Sequence, residues 1–257
     1  MKSKPPIRES LKNADHRGEL ISCLLSFERN IRLEECGPVL RELHNSGEIS
    51  LVSDNNLAAI EAISHNDFWS VIHLLNEVIP ELDCSYQEIL RLVDALTLKA
   101  GPDLASGLPK MSLVKWCNAN PEKAKMIVEG AKCLEKLCLS HCVFAIQGLE
   151  SVELAFELLG HSNNVVVTAG LSSLGRLKIE SETIVKQIID ECCKAVKNEN
   201  DKNLRSAAIE TAFTIWEKHS LSEPYRQQEF LDNVINAKEG DDLVLLSAAL
   251  FYYSKGL

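Results

Sequence analysis

Cys133, Cys138, His141 and Cys142 come nearest to naming a chemistry. Thiolates and an imidazole close together are the donor set of a zinc or other soft-metal site. Their spacing, C-x4-C-x2-H-C, lacks the paired C-x2-C knuckles of zinc modules. At 100° per residue on a helix the four positions fall at about 0°, 140°, 80° and 180°, so the side chains diverge. The expectation is buried thiols in a helix seam, with no metal and no cofactor. Cys192 and Cys193, being adjacent, face different sides of their helix and read as core or half-buried. On one continuous helix, Lys125, Lys132 and Lys136 would lie within about 40° of one another, an anion stripe in outline. Glu129 sits between Lys125 and Lys132 and turns that stripe into a salt-bridged, solvated face.

Reaction motifs are missing. The seven His form no H-E-x-x-H pattern, Gly170–Gly175 (GLSSLG) is not a nucleophile elbow, and no phosphate-binding glycine loop occurs. With 37 acidic residues some carboxylates must be neighbours, but no pair is singled out. Trp69, Trp116 and Trp216 are anchors if they face a groove and packing residues if they do not. Arg176, Arg205 and Arg226 are candidates for one inner surface. The last helix gives the most definite expectation. Leu246, Leu250, Phe251, Tyr252 and Tyr253 form an apolar end with no polar capping repeat after it. That end is expected to bind a partner or a second copy of the chain.

The elements that must position these residues are helices. Asn164 begins NVVVTAGLSSLGRL, Asn203 begins NLRSAAIETAFTIW and Asp242 begins DLVLLSAALFYYSK, each 39 residues after the last. Asn and Asp are favoured N-caps because a short side-chain oxygen accepts from first-turn amides. Behind the caps the columns agree: Ala169 with Ala208 and Ser247, Gly170 with Ile209 and Ala248, Leu174 with Phe213 and Tyr252. A further step back places Met126, Gly130 and Ala131 in register with Val165, Ala169 and Gly170. Small residues in a column let neighbouring backbones approach, and large ones fill the groove between them. Glu150–Leu159, Glu182–Val196 and Glu223–Lys238 read as the partner helices of antiparallel pairs. In the first half, Ser53-Asp54 and Asn66-Asp67 read as helix starts. Pro80 reads as a stop, Ser85 with Glu88 as a capping box, and Asn120-Pro121 as a cap with Pro at the first helical position. No sustained period-2 alternation occurs, so the fold class is all-α, with about a dozen helices and no sheet.

From Met126, Val165, Leu204 and Leu243 onward, over about 120–257, the chain resembles HEAT- or armadillo-like α-solenoids. It departs from the usual HEAT pattern in having no clear Pro in the first helix of each unit and no regular Asp–Arg ladder. The resemblance implies a HEAT/ARM-like superhelix of antiparallel helix pairs and a non-enzymatic interaction scaffold or adaptor for a protein or peptide. The chain would then be the N-terminal part of a longer protein. An alternative is a helical recognition or regulatory domain of a larger enzyme, and a remoter one is a HEAT-like DNA-binding or glycosylase protein.

Composition bears on these alternatives. Of 257 residues, 46% are hydrophobic and 25% charged, with net charge −10. Residues 1–18 hold Lys2, Lys4, Arg8, Lys12 and Arg17 against Glu9 and Asp15, so the remainder carries −13. An acidic body argues against nucleic acid as the main partner. The expected organisation is a basic, flexible arm over 1–18 and one helical-repeat domain over 19–257, with Gly101–Pro109 (GPDLASGLP) as the candidate break. No apolar run is long enough to span a bilayer. Nine Cys without framework-like spacing suit a reducing cytoplasm.

Overall fold

The computed structural model describes residues 6–29, 31–101, 107–197, 201–219 and 226–236. Among them lie fourteen α-helices and no strand. The fold is all-α. The chain divides into two compact units, 1–127 and 128–257. The sequence-derived break lies earlier, at 101–109, and residues 102–106 of it are outside the described residues.

Unit 1 contains α1 (Ile7–His16), α2 (Leu20–Ser26), α3 (Gly37–Asn45), α4 (Asp54–Ala62), α5 (His65–Val78), α6 (Tyr86–Ala100), α7 (Gly107–Ala119) and the start of α8 (Pro121–Lys132). Several ends fall where capping chemistry puts them. Ser53 Oγ accepts from the Asn56 amide, and the reciprocal Ser85–Glu88 box opens α6. The α5 start differs from the Asn66-Asp67 reading: Ser64 is its cap, accepting from the Asp67 amide at 3.1 Å. Pro80 ends α5 through a single 3-10 turn, Ile79–Glu81. Within the stretch expected as a basic arm, residues 7–16 form α1. Its Leu11 and Ala14 are fully buried, and Arg8 and Lys12 pair with Glu48 of the loop after α3.

A π-helical turn, Ile31–Cys36, feeds α3. Arg32 holds it in place. Its buried guanidinium donates to the carbonyls of Phe27 (2.7 Å) and Leu25 (3.4 Å) at the end of α2, and of Ser70 (2.8 Å) on α5. A cation at a helix C-terminus meets unpaired carbonyls, which is why this charge tolerates burial without a carboxylate.

Helices two places apart pack on one another: α1 on α3, α2 on α4, α3 on α5, α4 on α6 and α5 on α7. Polar rungs follow the same step. Arg8 binds Glu48, Arg41 binds Glu81 and Lys123 binds Asp83, each across 40 residues, and Arg91 binds Asp54 across 37. Asn45 adds a double contact, donating to the Glu81 carbonyl and accepting from the Asp83 amide. These rungs mix Arg, Lys, Asp and Glu and do not form a regular Asp–Arg ladder. The Trp116 indole N–H donates to the Leu82 carbonyl at 2.8 Å, and Trp116, Leu40, Leu43, Leu75 and Leu113 are all buried.

Unit 2 holds the rest of α8, then α9 (Lys136–Leu149), α10 (Val152–Leu159), α11 (Asn164–Leu174), α12 (Glu182–Ala195), α13 (Lys202–Lys218) and α14 (Gln227–Asn236). α10 packs on α11, α12 on α13, and again α9 on α11, α11 on α13 and α12 on α14. The caps are Asn163 and Asp201, which accept from the Val165 and Leu204 amides. They replace the expected Asn164 and Asn203, which lie inside their helices, and Asp242 lies outside the described residues. The small-residue column holds in outline. Ala169, Gly170, Ala208 and Ile209 are buried, and a Cβ on Gly170 would stand 2.9 Å from the Ala155 carbonyl oxygen. Gly130 plays the same part between α8 and α9, where a Cβ would meet Cys138 Sγ at 2.5 Å. The first column does not hold: Leu204 is buried, whereas Val165 and Met126 are 56% and 51% exposed.

Candidate interaction surfaces

The four residues of the sequence-derived thiol cluster do not share one helix, because α8 stops at Lys132 and α9 begins at Lys136. Cys138, His141 and Cys142 are buried in α9, while Cys133 is exposed before it. Among the described residues, no group of three or more His, Cys, Asp or Glu is placed to hold a metal. Burial, reinforced by Glu135, pushes the Cys138 thiol up to about 12, and burial carries Cys142 to the same value. Burial likewise raises Cys36 to about 11 and Cys84 to about 12. Cys192 and Cys193 are both core residues with raised thiols. Thiols held this high are protonated at neutral pH and poor nucleophiles.

The lysine stripe is interrupted, because α8 stops at Lys132 and Lys136 begins α9. Lys125 pairs with Glu122, and Lys132 with both Glu129 and Glu157. The tryptophans have three different surroundings. Trp116 is wholly buried. Trp216 packs edge-on against Phe213 and Phe230, each 5.3 Å away, with its N–H buried and without an acceptor among the described residues. Trp69 is half-exposed on α5, its N–H on His65 Nε2. Arg205 is buried, and Arg226 is tied to Asp190 and Glu229, which raise its pKa. Leu246, Leu250, Phe251, Tyr252 and Tyr253 lie outside the described residues.

Features that sequence reasoning passed over lie within each unit. On unit 1, Leu98 near the end of α6 and Leu108 and Met111 at the start of α7 are 70%, 38% and 46% exposed. Their i, i+3 spacing on α7 was a legible signal. A cavity of about 220 Å³ lies between the π turn with α3 and the end of α5, lined by Leu33, Pro38, Arg41, Glu77 and Val78 among others. In unit 2 a second cavity, about 170 Å³, is walled by Leu159, Val167, Leu171 and Leu204, with the Glu191–Lys194 pair at its edge. Leu134 is 47% exposed at a left-handed φ of 63°, an unusual conformation for Leu. At the C-terminal ends of α11 and α13, Arg176 lies over the Phe144 ring at 5.1 Å. Lys218 donates to the Gly175 carbonyl at 2.8 Å.

No family model matches the chain, and no curated protein or solved structure matches it either.

Proposed function

We propose that each unit is a stack of antiparallel helix pairs of the HEAT/armadillo kind, and that the chain works as a non-enzymatic scaffold for a protein or peptide. One observation carries this reading. In unit 1 from α1 to α7, and in unit 2 for α9–α11, α11–α13 and α12–α14, helices pack on those two places further along, and several polar contacts span close to 40 residues, Arg8–Glu48 and Thr211 Oγ1–Leu171 O among them. A contact pattern with one dominant sequence separation is what repeated helix pairs produce. Repeat stacks display variable side chains along their exposed faces, and Leu98, Leu108 and Met111 are exposed apolar side chains that a partner would cover.

The test is affinity purification from native lysate, with any co-purifying protein then mixed with the pure chain and weighed by light scattering. Wild type is compared with Leu108→Asp/Met111→Asp and with Leu246→Glu/Leu250→Glu. A stoichiometric complex lost in one folded double variant is expected. A chain that forms no stoichiometric complex with any recovered protein sinks the scaffold reading.

A further inference from the structure

Many cations among the described residues have a carboxylate beside them, as the pairs of Arg8, Arg41, Arg91, Lys123, Lys132 and Arg226 illustrate. At the ends of α11 and α13 the arrangement differs. Arg176 is exposed, its guanidinium carbon 5.1 Å from the centre of the Phe144 ring of α9, and it makes no ion pair among the described residues. A guanidinium carries five N–H donors, so one held over a ring keeps donors free to meet oxygens. Lys218 is fixed by a bond to the carbonyl of Gly175, the residue preceding Arg176, so the two cations sit on one corner. Partial burial and the Arg176 charge both lower the Lys218 pKa, and Glu217 opposes this only in part. Two like charges are thus held together in a chain of net charge −10.

Helix termini account for part of this. α11 ends at Leu174 and α13 at Lys218, and each C-terminus presents about half a negative charge. Glu217 adds a carboxylate that acts on Lys218, which leaves Arg176 as the cation of this corner with no carboxylate partner among the described residues. A planar fork and a point-charge ammonium on one corner suit a tetrahedral oxyanion, since the fork takes two oxygens and the ammonium a third.

We infer that Arg176 and Lys218, backed by Phe144, form a binding site for a phosphate group. The group's source is either free phosphate or a phosphorylated side chain of a bound peptide. The inference goes beyond the scaffold reading and does not depend on it.

The experiment is a titration of the full ¹⁵N-labelled chain with inorganic phosphate at fixed ionic strength, with chloride as the reference salt. The second arm uses a short phosphoserine peptide. Saturable shifts of the Gly175, Arg176 and His219 amides and of Arg176 Nε–H are expected, with no counterpart in chloride. Arg176→Gln should weaken the affinity about tenfold, which is ~1.4 kcal/mol. Arg176 is exposed and its guanidinium makes no hydrogen bond among the described residues, so this variant keeps the fold. Arg176→Gln/Lys218→Met should remove the shifts while leaving the rest of the spectrum in place. Tighter binding of the peptide than of phosphate assigns the source to a side chain, and equal binding assigns it to the free anion. Shifts that do not saturate, or that persist unchanged in Arg176→Gln, overturn the inference.

Discussion

In unit 1 several ties between helices some 40 residues apart are exposed ion pairs: Arg8 to Glu48, Arg41 to Glu81, Lys123 to Asp83. Unit 2 has an ion pair of this kind in Arg226–Asp190, but its close seams are buried. Thr211 Oγ1 donates to the Leu171 carbonyl, Gly175 lies against Thr211, and Gly170 seats α11 on the Ala155 backbone of the neighbouring α10. The two arrangements place different demands on the sequence. Exposed ion pairs contribute little to stability and can be exchanged for one another, so unit 1 keeps its register with mixed Arg, Lys, Asp and Glu. Backbone-to-backbone contact has no such tolerance, because a close-packed seam has nowhere to put an added methyl. Unit 2 is accordingly where a column of small residues shows in the sequence, and unit 1 is where the repeat fades from it.

The sharpest break of this comparison uses the two buried tryptophans. In Trp116→Phe the Leu82 carbonyl loses its donor inside the core of unit 1, and the expected loss is about 1–3 kcal/mol. In Trp216→Phe the N–H removed has no acceptor among the described residues, so the loss should stay below about 1.5 kcal/mol. Urea unfolding with hydrogen exchange read separately in each unit checks both. Equal losses would mean that the Trp116 hydrogen bond contributes nothing beyond packing. Next in size is Gly170→Ala, which sets a methyl 2.9 Å from a backbone oxygen. The seam must open, at about 1–3 kcal/mol, and exchange protection in α10 and α11 should fall first. An unchanged variant would show that the α10–α11 approach is slack.

Helices were legible because their signals are local. Ser53, Ser85 with Glu88, and Pro121 mark starts through contacts within four residues, and the structure places them there. The exact caps in unit 2 were not, because Asn163-Asn164 and Asp201-Lys202-Asn203 offer more than one capping side chain within a turn. Choosing among them depends on where the preceding helix delivers the chain. Exposure of Val165 beside burial of Leu204 was equally hidden, since both are apolar and occupy the same repeat column. The rungs escaped notice because their partners lie 37–40 residues apart and vary in type. The phosphate-site residues fared no better. Arg176 was a candidate for an inner surface with Arg205 and Arg226, but its place over Phe144 depends on α9 and the end of α11 being brought side by side.

A smaller effect is expected from the rungs themselves. Glu48→Gln, Glu81→Gln and Asp83→Asn together remove acidic partners from them. Lys123 chiefly holds the Asp83 carboxyl below its usual range, and Lys12 does the same for Glu48. Stability should fall by less than in Gly170→Ala alone, and the difference from wild type should close in high salt, where exposed pairs are screened. A loss that survives high salt would show that the rungs act through packing and that the two units are less different than they look.

The least change at neutral pH, and a graded one in acid, comes from His44. It is buried at the end of α3, where Nδ1 accepts from the Leu51 amide at 3.3 Å and Nε2 has no partner among the described residues. Burial lowers its pKa from 6.5, and Glu88, Asp83 and Asp15 only partly offset this. The fold therefore holds the imidazole neutral, while the unfolded chain takes up a proton near 6.5. Its contribution is intact above 6.5 and is lost as pH falls from there through the lower folded value. His44→Asn keeps an acceptor for Leu51 and removes the titration, so the decline in stability of unit 1 below pH 6.5 should flatten. His219, also lowered by burial and by Lys218, still titrates in that variant, so the corresponding decline in unit 2 should be the same in His44→Asn as in wild type. Equal slopes for wild type and His44→Asn in unit 1 would mean that another group governs its acid sensitivity, with Asp83 and Glu88, whose ionised forms the fold also favours, next in line.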